Sequence, residues 1–427
     1  MSNSKKQLFP IQTKTACLLK WNWSTIYFQS GTTSSCHRTT KLKIPENNFG
    51  SFHNLPEKIE DRQQMLKGQW PKDTCGYCKN AEIVGQYSDR MNQLIQQTDP
   101  TVTPPELLDN NTAVEVTPTF LEVYFRNTCN MSCVYCGPHF SSKWEEELKL
   151  HGDIEIFKKS SQKDLFAIQT SQKNELYEQQ KKQFWKYLEE NNRFKVLRWF
   201  SFLGGEPLVI PELEECLDFW ENHPNEHLTF QVVTNLKAND HRFNNFLSRI
   251  EKLTNEKKIY QFKVIASLDG IGPQMEYVRY GLDTAQWMKN FEKLLGIKNL
   301  SVGINSTISM LTLHDFPKLL EKIIEWNKGR QTTDRIIHSF NTDSALTPPK
   351  IAGGELFKSI FEKCDRLFVV KNTRELTVKK YWDGIVHQIT NATKDTQRIE
   401  DLKKYLSVLD ARRNTDWKKT FPWLVDL

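Results

Sequence analysis

The sequence predicts an α/β fold, either an open doubly wound sheet or a partial barrel. Two observations predict it. Six apolar runs of strand length, most of them rich in Val, Ile, Phe or Leu, occupy residues 121–126, 196–203, 228–234, 261–268, 300–308 and 335–340. Between them lie patterns of helical period, at 212–221, 241–253, 284–295 and 315–327, long enough to carry the chain from one parallel strand to the next. Such alternation argues for a mainly parallel sheet.

Other regions flank this alternating block. Residues 1–96 are rich in turns, Trp and Cys, and 97–119, with Pro100, Pro104, Pro105 and Pro118, read as a linker. The block itself spans 120–345, and 346–427 reads as two or three helices. An insert at 142–192, between the first two strands, is longer than one crossover helix needs and is rich in Lys, Glu and Gln. In its second half Leu176, Tyr177, Phe184, Trp185, Tyr187 and Leu188 recur near helical spacing. Packing is its first expected role; a lid or a partner surface is the alternative.

The chain has 427 residues, with 58 Lys and Arg against 52 Asp and Glu, a net charge of +6. At roughly 150 residues per domain that length suits two or three domains. A charge of +6 is too dilute to mark a nucleic-acid surface, although it excludes none. No run of about 18 apolar residues occurs, which excludes an ordinary transmembrane helix. The first residues, Met1 to Gln7, lack the apolar run of a secretory signal. The expected location is therefore cytoplasmic, where thiols stay reduced and nine cysteines point to metal sooner than to disulfides. Cys216 and Cys364 stand alone in helix-like surroundings and read as small buried hydrophobes.

The remaining seven cysteines fall in the first third of the chain. Cys129, Cys133 and Cys136 lie within eight residues, directly after the first strand of the block. Iron-sulfur clusters are usually held by four thiolates, so three local ones leave one iron of a cube open to a ligand. The spacing C-x3-C-x2-C, with aromatic Tyr135 before the last cysteine, resembles the signature of the radical S-adenosylmethionine (SAM) superfamily. The resemblance implies a partial (βα)6 barrel, a [4Fe-4S] cluster whose open iron binds SAM, and cleavage of SAM to a 5′-deoxyadenosyl radical.

Further positions carry the same likeness. Gly204-Gly205-Glu206-Pro207, at the end of the second strand, resembles the family's GGEP motif, which contacts the SAM amino group. Glycines permit close backbone approach, and a carboxylate suits an ammonium. Ser267-Leu268-Asp269-Gly270 resembles the S-x-D-G motif of members with SPASM or twitch extensions, with Arg279 twelve residues after the serine. By resemblance the serine lies near the SAM ribose and the arginine pairs with the carboxylate. Asn235 and Asn305, on the same predicted face, suit either a cofactor or substrate contact or ordinary capping of strand ends.

Cys75-Gly-Tyr-Cys78 forms a second C-x2-C pair, preceded by Cys17 and Cys36. From spacing alone a closed all-cysteine zinc site fits slightly better than a cluster. With Gly31, Trp70 and Ser88-Asp89-Arg90, however, the string resembles a twitch domain holding an auxiliary [4Fe-4S] cluster, placed before the barrel. His37 reads as a surface neighbour of Cys36, not a ligand. The resemblance thus implies SAM, two [4Fe-4S] clusters, a peptide, protein or small-molecule substrate, and an electron donor such as a flavodoxin or ferredoxin. A nucleic-acid-modifying relative and a zinc-stabilised binding protein without redox activity are the alternatives. His338, near Thr347-Pro348-Pro349, could line the barrel mouth.

Overall fold

The computed structural model of the chain describes residues 15–72, 74–83, 85, 88–91, 114–154, 174–331, 334–343 and 346–427. Most of the linker and the middle of the 142–192 insert lie outside the described residues.

The architecture is a mixed α/β fold on one nine-stranded sheet. In chain order the strands are β1 (Trp23–Tyr27), β2 (Thr32–Ser34), β3 (Leu42–Lys43), β4 (Phe120–Tyr124), β5 (Trp199–Leu203), β6 (Asn225–Thr234), β7 (Ile259–Ser267), β8 (Leu300–Ile308) and β9 (Ile337–Thr342). Their spatial order is β3-β2-β1-β4-β5-β6-β7-β8-β9. Strands β4 to β9 are parallel throughout, in chain sequence, and correspond to the six apolar runs. β1 also pairs parallel with β4, from Trp23 beside Phe120 to Tyr27 beside Tyr124. The cysteine-rich N-terminal segment thereby extends the same sheet, and β2 and β3 complete it as an antiparallel edge.

Helices follow the strands as the periodicity requires. Among the described residues they are α1 (Leu18–Asn22), α2 (Pro56–Leu66), α3 (Gly76–Ile83), α4 (Ser142–His151), α5 (Tyr177–Glu189), α6 (Glu212–Asn222), α7 (Asp240–Asn255), α8 (Pro273–Val278), α9 (Thr284–Leu295), α10 (Phe316–Trp326), α11 (Lys358–Leu367), α12 (Thr373–Thr390), α13 (Thr396–Arg413), α14 (Trp417–Thr420) and α15 (Pro422–Val425). Local chemistry sets several starts. Ser141, Asn239 and Asp283 each accept a backbone N–H three residues on, at 3.3, 2.9 and 2.9 Å. The insert's second half is the amphipathic α5, which lays Phe184 against Phe28 and Phe125.

The sheet's two faces differ sharply. Ile26, Val123, Phe202, Val232, Val264 and Val302 form one continuous row across six strands, all buried under the helices. One residue earlier in each strand the row reads Thr25, Glu122, Ser201, Gln231, Lys263 and Ser301, on the opposite face. Parallel sheets are normally covered on both sides. Here Gln231, Lys263, Ser267, Asn305 and Ser339 of the polar face remain partly or fully exposed. Face two is thus a polar surface backed by an apolar core.

His338 lies on the helix-covered face. Its ring packs 5.5 Å from Phe316 and 5.3 Å from Phe340, and its Nε2 donates to Ser306 Oγ at 2.9 Å, since that hydroxyl gives its own proton to the Leu268 carbonyl. Burial pushes its pKa down to about 3. The unfolded chain, with an ordinary value near 6.5, therefore binds the proton first, and stability present above about pH 6.5 drains away as pH falls towards 3. His338→Phe should flatten this acid limb of the unfolding free energy, read from urea midpoints across pH, by up to about 1.4 kcal/mol per pH unit. An unchanged limb would show that His338 does not titrate on unfolding.

Candidate functional site

The chemistry-bearing residues gather at the C-terminal ends of the parallel strands, where α/β folds place their sites. Directly after β4 the chain enters the three-cysteine loop. Ser132 N–H donates to Tyr280 O at 3.0 Å and Val134 N–H to Val278 O at 2.7 Å, while the Trp144 indole N–H donates to Cys133 O at 2.8 Å. Ser141 Oγ holds Met131 O at 2.6 Å. The loop is thus clamped along its length, with all three thiols half-buried.

The Gly204–Pro207 turn after β5 fits against this loop. A Cβ on Gly205, at φ +24°, would sit 2.2 Å from Thr128 O. Gly205 is therefore required for the approach of the turn to the backbone that leads into Cys129. Glu206 is buried and fully engaged: its carboxylate accepts from Thr234 Oγ1 at 2.5 Å, Asn235 N–H at 2.6 Å and Leu208 N–H at 3.0 Å. Burial lifts its pKa to about 7 against the pull of those donors. The carboxylate thus ties the end of β5 to the end of β6. Pro207 is buried beside it as the first residue of a short 3-10 turn.

Asn235 follows β6 and bridges to the same loop. Its Nδ2 donates to Asn130 Oδ1 at 2.9 Å and lies 3.9 Å from Cys129 Sγ, while Asn130 Nδ2 donates to Lys237 O at 2.7 Å. Between them Leu236 is held at φ +57°, a conformation costly for a bulky residue and typical of functional sites.

From β7, Asp269 makes the strongest contact of the site. Its carboxylate receives Arg279 Nε at 2.9 Å and Nη2 at 2.7 Å, the Tyr135 hydroxyl at 2.5 Å and Thr307 N–H at 2.8 Å. Burial alone would lower the Arg279 pKa, but Asp269, Tyr135 and Cys133 outweigh it and hold it above its ordinary value. The arginine expected to face a ligand carboxylate is committed to Asp269. Ser267 and Asn305 are register partners on the open face, and Asn305 Oδ1 accepts from Ser339 Oγ at 3.1 Å.

The three thiols carry an electrostatic asymmetry. Burial raises all of them; Cys133 also feels the opposing pull of Arg279 and Arg413, whereas Cys129 feels the like charge of Cys133 and Glu206. Cys136 is pushed up to about 12, by burial and then Cys133. Neighbouring soft thiols that repel one another as anions suit an iron-sulfur cluster, whose cationic irons supply the missing charge. The donor set fits such a group.

The second set also meets. Cys17, Cys36 and Cys75 share one small apolar cluster with Trp21 and Met65, and Cys78 lies within electrostatic reach of Cys36. Burial, then Cys36 and Cys75, pushes Cys17 up to about 12. Beside them Lys20 is buried against Asp61 and Thr74, and Thr74 Oγ1 is 3.7 Å from Cys75 Sγ. These residues were not singled out in the sequence; nothing local marks a lysine as buried. Among the described residues no three His, Cys, Asp or Glu side chains form a group suited to a single metal ion.

His37 is exposed, with Nδ1 3.6 Å from Glu122. Glu122, a buried carboxylate on the open face, was likewise missed, although its place in the alternating run Leu121-Glu122-Val123-Tyr124 could have flagged it.

No family model matches the chain, and no curated protein matches it. Among solved structures, the chain is similar to Streptococcus suis SuiB, in a crystal structure of SuiB bound to precursor peptide SuiA, at 13% identity and a TM-score of 0.32. The match covers 92% of this chain and 69% of that one. A TM-score so low does not establish a shared fold. No helix among the described residues is long and apolar enough to cross a membrane.

Proposed function

We propose that the chain is a radical SAM enzyme, with Cys129, Cys133 and Cys136 as ligands of a SAM-binding [4Fe-4S] cluster and residues 120–345 forming a partial (βα)6 barrel. The observation that carries this reading is the meeting of three separate motifs, the cysteine loop, the Gly204–Pro207 turn and the Asp269–Arg279 pair, at the ends of parallel strands. Curvature of the sheet is supported by its two ends: Tyr381 on α12, packed 5.5 Å from Phe340 of β9, lies within electrostatic reach of Arg38, Tyr77 and Asp89 from the N-terminal segment.

Held by Cys129, Cys133 and Cys136, such a cluster would supply the electron for reductive cleavage of SAM and so the means of hydrogen abstraction from a substrate. The chain's own residues set the geometry. Glu206 and Asn235 fix the strand ends around the loop; Ser267 would border the cofactor's ribose and the Gly204–Gly205 backbone its amino group, with Asn305 beside Ser267 on the same face. The polar sheet face, with the stacked Tyr27 and Tyr124 at 4.8 Å, is the substrate surface. Residues 1–96 form an auxiliary unit in which Cys17, Cys36, Cys75 and Cys78 hold a second [4Fe-4S] cluster for electron transfer. The substrate is a peptide, protein or small molecule, and a flavodoxin or ferredoxin is the electron donor in the cytoplasm.

Anaerobic reconstitution tests the reading. About eight irons per chain are expected for two cubes, with 5′-deoxyadenosine formed in the presence of a strong reductant. Cys133→Ala should abolish that product, while Cys78→Ala should retain it and lose turnover of the substrate. Persistence of 5′-deoxyadenosine in Cys133→Ala overturns the assignment.

A further inference from the structure

We infer that helix α13, in the C-terminal region for which the sequence offers no role, is a working part of the cysteine site, and that Tyr405 and Arg413 on it are positioning residues for Cys133 and Cys136. The inference rests on the proposed role of the triplet and adds the device that holds it still.

Several independent contacts support it. The Tyr405 hydroxyl donates to Val134 O at 2.7 Å, inside the triplet, across 271 residues of chain. Val134 also donates its own N–H to Val278 O, so the peptide between Cys133 and Cys136 is gripped from both sides. Arg413 lies between two rings, 4.6 Å from Trp144 and 4.7 Å from Tyr280. Both of these residues take hold of the loop, Trp144 through Cys133 O and Tyr280 through Ser132 N–H. Glu147 fixes the guanidinium with contacts of 3.0 Å to Nε and Nη2. One turn earlier Asp410 accepts from the Tyr277 hydroxyl at 2.8 Å, steadying the segment that carries Val278 and Tyr280.

This arrangement exceeds what packing a helix requires. A helix held by apolar burial alone would direct its polar groups to solvent, yet Tyr405 and Arg413 are both buried and both end on backbone or rings that touch the loop. A carbonyl so held cannot rotate, and the flanking thiols keep their spacing. Arg413 also contributes positive charge near Cys133.

Hydrogen exchange on the apoprotein, with Tyr405→Phe and Arg413→Lys, tests the inference without relying on bound iron. The first variant keeps the ring and loses one hydrogen bond; the second keeps the charge and loses the planar stack. Amides over 131–136 should exchange about five- to tenfold faster in each, with α13 and strands β4 to β7 at wild-type rates. In loaded enzyme the KM for SAM should rise about threefold or more, with kcat changed less, as expected when a pre-set geometry loosens. Wild-type exchange over 131–136 in both variants overturns the inference, as does acceleration spread evenly over α13 and the strands, which would mark the pair as merely structural. Absence of iron in the wild type would sink the functional proposal and leave this exchange result standing.

Discussion

Gly205→Ala should strip iron from the three-cysteine loop and lower 5′-deoxyadenosine formation by about 100-fold or more, the loss expected for a misplacement of about 1 Å at a reacting centre. The added methyl would meet Thr128 O at 2.2 Å, Thr128 C at 2.8 Å and Asn127 C at 2.9 Å. All three are backbone atoms, so no side chain can swing aside. Nor is that backbone free to retreat. Thr128 O accepts the Glu206 N–H at 2.8 Å, and Asn127 O accepts the Ser142 N–H at 2.8 Å at the start of α4. The clash is relieved only if the turn and the backbone leading into Cys129 move apart, which shifts one side of the site against the other. Overpacking of this kind costs about 1–3 kcal/mol, which a protein of this size survives. Iron should fall by about four per chain, one cube, with the circular-dichroism spectrum retained. Gly204→Ala is the control: its Cβ meets Arg126 O at 3.1 Å and the Tyr124 ring at 3.2 Å, a milder conflict at φ +91°. Full iron and wild-type cleavage in Gly205→Ala would refute the role given to this approach.

The order of strands and helices was legible because each signal is local. Parallel strands that bury one face against helices read as runs such as Val-Ile-Ala at 264–266, and the crossover helices show their period within single segments such as 241–253 and 284–295. What the sequence hid is carried by distance. The parallel pairing of β1 with β4 has no local mark, so the N-terminal segment reads as a separate unit although its strand lies in the same sheet. Tyr135 and Asp269 were each picked out for their motifs, yet the hydrogen bond between them spans 134 residues. Glu206 illustrates a different limit. A carboxylate beside two glycines suggests a ligand contact, but residue type alone cannot say that Thr234 and two backbone N–H groups already occupy it. Tyr405, in a helix with an ordinary amphipathic pattern, carried no signal at all.

Asp269→Asn should produce the largest loss of stability, about 3–5 kcal/mol, because it leaves the Arg279 guanidinium buried without its counter-charge. Asp269 is fully buried and Arg279 5% exposed, so water cannot replace the missing partner. The retained amide oxygen can still accept two hydrogen bonds. Its NH2, however, must then face an Arg279 N–H that can only donate, either Nε together with the Tyr135 hydroxyl or Nη2 together with the Thr307 N–H. The penalty belongs to the pair, so Asp269→Asn with Arg279→Gln should recover a coupling energy of about 1–3 kcal/mol relative to the sum of the single variants. Urea midpoints measure all three. Stability and function separate in Tyr135→Phe: one hydroxyl is lost at about 1 kcal/mol, while the link from the cysteine loop to β7 is cut. If the double variant shows simple additivity, the fork does not bind β7 to the segment that clamps the cysteine loop, and the two sides of the site are held together by packing alone.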